Sequence, residues 1–346
     1  MKAAVVEKPN VLRVTEIPEP EMGEYDALCE ILYGAICTGT DLHLIDGSLP
    51  FATFPAVLGH ESTGRVVAVG PKVRYLKKGD LISRVGTEPA GGYDVRWGGF
   101  AEQGVARDFR AMEEDGLPPA EWRAWRRVRP LPADVDPAAA TMVITWRETL
   151  SYLTRMGVPE GARVVVFGSG GNGLAFAAHA ANLGAMQVAV VGAGGREEAS
   201  RKVGATHFLD YKARDVSERL LELCSEGFDF AIDAVGKQGV GDLALSVLSP
   251  GGTLGIYGMD DFGKCTILPR NAKGSFTFYN GGYDEAETHD RVMELIASGR
   301  LDASVWLDLE NPYPLEEINE AFEALRRREG IKALVKIGAR GYTGLH

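Results

Sequence analysis

The stretch Arg163–Gly173, RVVVFGSGGNG, reads as a short apolar strand that breaks into glycines and then opens a helix. Gly168, Gly170 and Gly173 stand in a G-x-G-x-x-G pattern, with Val164–Phe167 upstream and the alanine-rich Leu174–Leu183 downstream. The first glycine allows the tight turn, the second lets a pyrophosphate approach the backbone, and the third lets helix and strand pack closely. Phosphate oxygens then meet N–H groups at a helix N-terminus, where the helix dipole favours negative charge. Gly168, Ser169, Gly170, Gly171, Asn172 and Gly173 are therefore expected to cradle a dinucleotide, with a nicotinamide nucleotide as the cofactor.

Outward from this motif the pattern alternates helix and strand. A long helix is expected from Pro137 toward Met156, with proline suited to the first turn. Strands follow at Arg163–Phe167, Gln187–Val191, His207–Leu209, Phe228–Asp233 and Thr253–Tyr257, with a last one near Ser275–Tyr279. Helical segments at Arg196–Val203, Val216–Cys224 and Val240–Leu248 separate several of them. This spacing predicts an α/β fold, a doubly wound parallel sheet covered on both faces. Upstream of about residue 110 the chain is instead strand-rich, with runs at Ala3–Val5, Ala27–Tyr33, Ser62–Val69 and Asp80–Val85 between turn residues. Asp115–Pro137 is rich in Pro, Arg and Trp, and Glu121–Arg129 reads as a short solvated helix or loop. The helices Thr288–Ser298 and Leu315–Arg328 and the strand Lys332–Ile337 are expected to rejoin the first part. The expected division is 1–146 with 285–346 as one discontinuous domain, and 147–284 as the dinucleotide-binding domain.

The chain has 346 residues, 45% hydrophobic and 25% charged, with a net charge of −11. That balance argues against nucleic acid or an anionic membrane surface as the main partner. Four cysteines are scattered without C-x-x-C pairing, which suits a reducing, cytoplasmic setting. The N-terminus has only a four-residue apolar run before Glu7, so no signal peptide is expected, and no apolar stretch reads as a membrane span.

A set of further motifs precedes the glycine turn: Cys37-Thr38-Gly39-Thr40-Asp41-Leu42-His43, then Gly59-His60-Glu61-x-x-Gly64, Val69-Gly70 and Lys78-Gly79-Asp80. Pro250-Gly251-Gly252 follows before a late strand. In order and spacing these resemble the zinc-type medium-chain dehydrogenase/reductase superfamily of alcohol, polyol and sugar dehydrogenases, over all of the chain except Asp115–Arg129. The resemblance implies a GroES-like β-barrel catalytic domain beside the dinucleotide domain, with the active site in the cleft between them, and a homo-oligomer, dimer or tetramer. It implies a catalytic zinc that polarises a small alcohol or carbonyl substrate as a Lewis acid. Cys37 and His60 are the natural ligands, with Glu61 as third, because some sugar dehydrogenases of the superfamily use the glutamate beside the histidine. Thr40 resembles the hydroxyl that bonds the substrate oxygen, His43 the outer end of its proton relay, and Asp41 a carboxylate orienting the ligand imidazole. The plainer readings are an inert core thiol at Cys37 and turn residues at Thr40 and Asp41.

Three departures stand out. Counting back from Thr40-Asp41 puts Thr38 in the usual cysteine slot, so a Cys37 thiolate needs a local bulge to point inward. Ile144 occupies the third-ligand position on the long helix, with Glu148 one turn later. The segment Gly86–Gly98 is short and lacks cysteine, so no structural zinc is expected. Thr38 and Ile144 lean toward the alternative of a zinc-free quinone-oxidoreductase-like or enoyl-reductase-like member, whereas His60 and His43 favour the zinc enzyme.

The nucleotide is read from the loop after the second strand. Gly192 stands where an NAD-preferring domain carries a carboxylate. Gly192-Ala193-Gly194-Gly195-Arg196 offers amides and a guanidinium, which suit a 2′-phosphate. Tyr211 and Lys212 lie where relatives contact the adenosine end. NADP(H) is favoured, with NAD(H) as the alternative. Asp233 and Gly236, at the carboxyl edge of a further strand, are expected to line the cofactor groove, or Asp233 to cap the next helix. Trp97 and Tyr93 flank the shortened lobe near the substrate.

Overall fold

In the computed structural model, which describes residues 1–49 and 53–338, the chain falls into two units: 1–144 with 306–346, and 145–305.

The second unit is built on a six-stranded sheet in the order His207–Asp210, Gln187–Gly192, Arg163–Phe167, Phe228–Asp233, Leu248–Ile256 and Thr277–Tyr279. Every pairing is parallel. Numbered along the chain this order is 3-2-1-4-5-6, the doubly wound arrangement whose ligand crevice lies where the order reverses, beyond strands one and four. Val164–Phe167 and Val188–Val191 are buried throughout, because helices cover both faces and leave no polar side. The helix Gly171–Asn182 buries Gly173–Ala180, its small alanines letting it lie close to the sheet.

The first unit holds two sheets. One runs Val11–Glu16, Lys2–Lys8, Ala56–Val57, Asp94–Val95; the other runs Tyr313–Pro314, Leu334–Lys336, Asp26–Ala35, Glu61–Val69, Leu81–Ser83, with Gln103–Arg107 also on Asp26–Ala35. Asp26–Ala35 breaks register at Leu28/Cys29 and again at Ile31/Tyr33, irregularities that bend a strand so that it can serve several neighbours. This is the GroES-like architecture, and the whole chain has the α/β fold expected of it.

Two segments differ from their sequence reading, and a third, the short helix or loop of Glu121–Arg129, is resolved into two turns. The α-helix of the long segment begins at Met142, preceded by a 3-10 turn at Ala139–Thr141. The Asp136 carboxylate accepts from the amides of Ala138 and Ala139, both at 2.9 Å, and so turns the chain before the α-helix starts. The second unit runs to Val305 rather than to 284. Glu285 is ion-paired to the buried Arg147 at 3.0 Å, Glu287 to Arg155 at 2.6 Å, and Thr288 donates to the Arg147 carbonyl at 2.9 Å. Those bonds fix the helix His289–Ala297 to this unit. Glu121–Arg129 is split between a short helix, Pro119–Trp122, and a 3-10 helix, Arg123–Arg127, with the Arg107 guanidinium 4.5 Å over the Trp125 ring.

Candidate functional site

In the first unit, strand register gathers residues far apart in sequence. Leu334 pairs with Ala35, and Ala35 pairs with Glu61, all antiparallel. Lys332 lies two residues before Leu334, and Cys37 two residues after Ala35, so both reach the strand end where Glu61 begins. Adjacent strand residues point to opposite faces, but His60 lies just before the strand, after Gly59 in the left-handed region at φ 93°. A Cβ at Gly59 would meet the Phe100 amide nitrogen at 2.7 Å, so only glycine fits there. The turn brings the His60 ring and the Glu61 carboxylate together, with Nε2 3.9 Å from Oε1.

One sulfur, nitrogen or oxygen from each of Cys37, His60 and Glu61 lies within 4.8 Å of the others, and all three residues are buried. No bulge is needed at Cys37. It is the extended N-cap residue of the helix Thr38–Ile45, and its amide donates to Asp41 Oδ2 at 2.9 Å. That bond fixes the cap, and the thiol lies 3.8 Å from Thr40 Oγ1. Asp41 is fully buried and turns its other oxygen to His60 Nδ1 at 3.7 Å, where neither atom has a hydrogen-bond partner. His43 Nδ1 lies 2.5 Å from the Gly39 carbonyl. A carbonyl only accepts, so Nδ1 carries the proton and the tautomer of the neutral ring is fixed.

Burial disfavours the charged form of His60, but Asp41 and then Cys37 outweigh it and hold the imidazole well above its ordinary pKa. Lys332 is likewise penalised by burial and held charged chiefly by Glu61, with which it forms a buried ion pair, so its pKa is raised. Nothing in the sequence around Lys332 marks this role.

The donor set fits zinc. Thiolate, imidazole and carboxylate are its usual ligands, at about 2.0–2.3 Å from the ion. A tetrahedral site of that size needs ligand atoms about 3.5 Å apart, so a modest contraction would close the cluster. The orphaned pair His60 Nδ1 and Asp41 Oδ1 is the pair that closes when a ligand imidazole is anchored from behind. Ile144 is fully buried and apolar, and Glu148, in the second unit, accepts from the Tyr257 hydroxyl at 3.0 Å.

In the second unit the glycine turn lies at the carboxyl end of the first strand. Gly168 has φ 115°, and a Cβ at Gly173 would collide with the Gly168 carbonyl. Gly170 is the N-cap of Gly171–Asn182, and no side chain caps that helix. Ser169 Oγ accepts from the Ala193 amide at 3.1 Å, and a side chain at Gly192 would strike Ser169. Arg196 closes the 3-10 turn Gly194–Arg196 and is half-buried. Tyr211 and Lys212 are exposed beyond the strand His207–Asp210. Asp210 pairs with Gly192 across the sheet, and its Oδ2 is 2.8 Å from where a Gly194 Cβ would be. The third strand thus sets a carboxylate beside the loop that follows the second, a proximity no linear spacing could reveal.

Asp233 caps a turn rather than the following helix. Its Oδ1 accepts from the Val235 and Gly236 amides at 2.9 and 2.8 Å, while Oδ2 is buried without a partner. Burial pushes its pKa up to about 6 against those two bonds. Gly236, at φ 72°, packs on Gly258 too closely for any side chain.

Residues 23–119 match the alcohol dehydrogenase GroES-like domain, and residues 171–279 match the zinc-binding dehydrogenase domain. The chain is 32% identical to a probable D-xylulose reductase A of Arthroderma otae, over 96% of both chains. It is 26% identical to a sorbitol dehydrogenase of Bacillus subtilis, over 97% of both. A solved alcohol dehydrogenase from Thermus sp. ATN1 superposes with a TM-score of 0.79 at 26% identity, covering 97% of this chain and 99% of that one. The chain belongs to the zinc-type medium-chain dehydrogenase/reductase superfamily, a family of oxidoreductases. No helix among the described residues is long and apolar enough to cross a membrane.

Proposed function

We propose that this protein transfers a hydride between NADP(H) and a secondary alcohol, polyol or sugar, with a catalytic zinc held by Cys37, His60 and Glu61. The observation that carries this reading is the convergence of those three donors within 4.8 Å, beside an imidazole whose other nitrogen faces Asp41. When bound, the ion would act as a Lewis acid on the substrate oxygen.

The chain's own residues do the rest. Asp41 orients the His60 ring and would keep Nε2 directed at the donors. Thr40, half-buried one helical turn from Cys37, would take the substrate hydroxyl as a hydrogen-bond partner. His43, fixed in one tautomer by Gly39, would carry the proton outward. The main chain of Gly168–Gly173 would hold the pyrophosphate and exclude side chains from it. Arg196 and Lys212 favour the 2′-phosphate of NADP(H), with Asp210 as the opposing charge beside Gly194.

A zinc-free, quinone-oxidoreductase-like reading rests on one observation: Lys332 already occupies one oxygen of Glu61. Metal content separates the two. One zinc per chain, lost in both Cys37→Ala and His60→Ala, is expected; a metal-free protein of full activity would establish the second reading instead.

A further inference from the structure

We propose that Trp97 forms one wall of the alcohol site and selects substrates that carry a flat ring beside the carbon being oxidised. This rests on the reading of Cys37, His60 and Glu61 as the metal-bearing centre. Trp97 has φ 67° and the following Gly98 φ 64°. A bulky side chain in the left-handed region crowds its own carbonyl, and such residues persist where the surroundings over-determine them, commonly at functional sites.

The surroundings here do so. The loop presses on Gly86, where a Cβ would collide with the Trp97 carbonyl, and Gly86 in turn lies on Gly104, which has no room for one either. Thr87 donates its amide to the Gly98 carbonyl at 3.1 Å. Gly86 and Gly104 therefore clear the space for this loop. Were the loop only a closure, glycine at 97 would adopt the same φ without steric cost. The chain instead places an indole there, its centroid 5.2 Å from that of the His60 ring and tilted by 54°.

Both nitrogens of His60 face elsewhere, Nδ1 toward Asp41 and Nε2 toward Glu61. The indole borders the centre without competing for either. His60 is 6% exposed while Trp97 is only half-buried, so part of the indole stays open beside the candidate ligand. An indole face favours flat C–H or π surfaces through dispersion and its quadrupole. The matching substrates are alcohols with an aryl, cyclohexyl or sugar ring next to the carbinol carbon. A short open-chain alcohol gains little from it.

The test compares wild type, Trp97→Ala and Trp97→Phe as holoenzymes with saturating nucleotide, on 1-phenylethanol, 1-cyclohexylethanol and 2-propanol. Zinc content is measured alongside, with saturation-transfer NMR of the two ring alcohols in the absence of nucleotide. Trp97→Ala should raise KM for both ring alcohols at least about tenfold with little change in kcat, and leave 2-propanol within about threefold. Zinc content should be unchanged, the saturation-transfer signal should vanish, and Trp97→Phe should restore most of both. A loss confined to 1-phenylethanol or to 1-cyclohexylethanol narrows the wall to a π or a C–H surface. An equal loss on all three alcohols, or loss of zinc in Trp97→Ala, would overturn the inference and leave Trp97 as a prop for His60. A wild type without zinc overturns the underlying reading instead, and the metal measurement tells the two failures apart.

Discussion

The proposed dinucleotide cradle of the second unit is six consecutive residues, 168–173, and would work through main-chain amides opened by its four glycines. The candidate cluster of the first unit draws Cys37, His60, Glu61 and Lys332 from the ends of three paired strands and Asp41 from the helix that follows one of them, and would work through buried polar side chains. One is a local backbone device, whereas the other exists only once strand register is correct. The cradle should therefore fail through steric overlap and the cluster through loss of a single donor, each leaving the other intact, since each is built from residues of its own unit.

His60→Ala tests the largest consequence. Removing a donor should cost about 4 kcal/mol of transition-state stabilisation, roughly a thousandfold in turnover. Fluorescence titration should find NADPH affinity within about twofold of wild type. A parallel fall in nucleotide affinity would break the separation. Gly173→Ala is the converse. Overlap with the Gly168 carbonyl should cost about 2–3 kcal/mol, weakening NADPH some thirtyfold or more while zinc content holds.

Asp233 offers a pH test confined to the second unit. Its folded pKa of about 6 lies above the ordinary 3.8. Between those values the folded state binds more protons than the unfolded state, so stability falls as pH rises through that window, by about 2–3 kcal/mol in total. Asp233→Asn keeps an acceptor for Val235 and Gly236 and should flatten that slope in urea unfolding between pH 4 and pH 7. A slope identical to wild type would show that Asp233 is not its source.

The smallest effects concern the nucleotide. Arg196→Ala should weaken NADPH by about 1.5 kcal/mol and leave NADH nearly unchanged. Asp210→Asn, removing the opposing carboxylate, should strengthen NADPH by about 0.5 kcal/mol. Isothermal titration with both nucleotides reads each. A wild type that binds NADH about tenfold tighter than NADPH would refute the NADP(H) assignment.

This contrast also explains what could be read from sequence. Arg163–Phe167 and Phe228–Asp233 coincide with their expected spans, because strands covered on both faces are largely apolar runs closed by turn residues. Ala56–Val57 and Asp94–Val95 were not legible. A two-residue strand has no period of its own and exists only through its tertiary partner. The same holds within the sites. The glycine turn needs only neighbours in sequence, and Cys37, His60 and Glu61 were reachable through local motifs. Lys332, Asp210 and the left-handed backbone of Trp97 arise from register and close packing, which leave no mark at fixed spacing.

The ion pair between Glu61 and Lys332 spans 271 residues. At ribosomal rates of about 5–20 residues per second, the carboxylate exists for roughly 15–55 s before its ammonium partner is made. Until then the strand Leu334–Lys336, just after Lys332, cannot close its edge of the sheet, so this buried ion pair forms only near the end of synthesis.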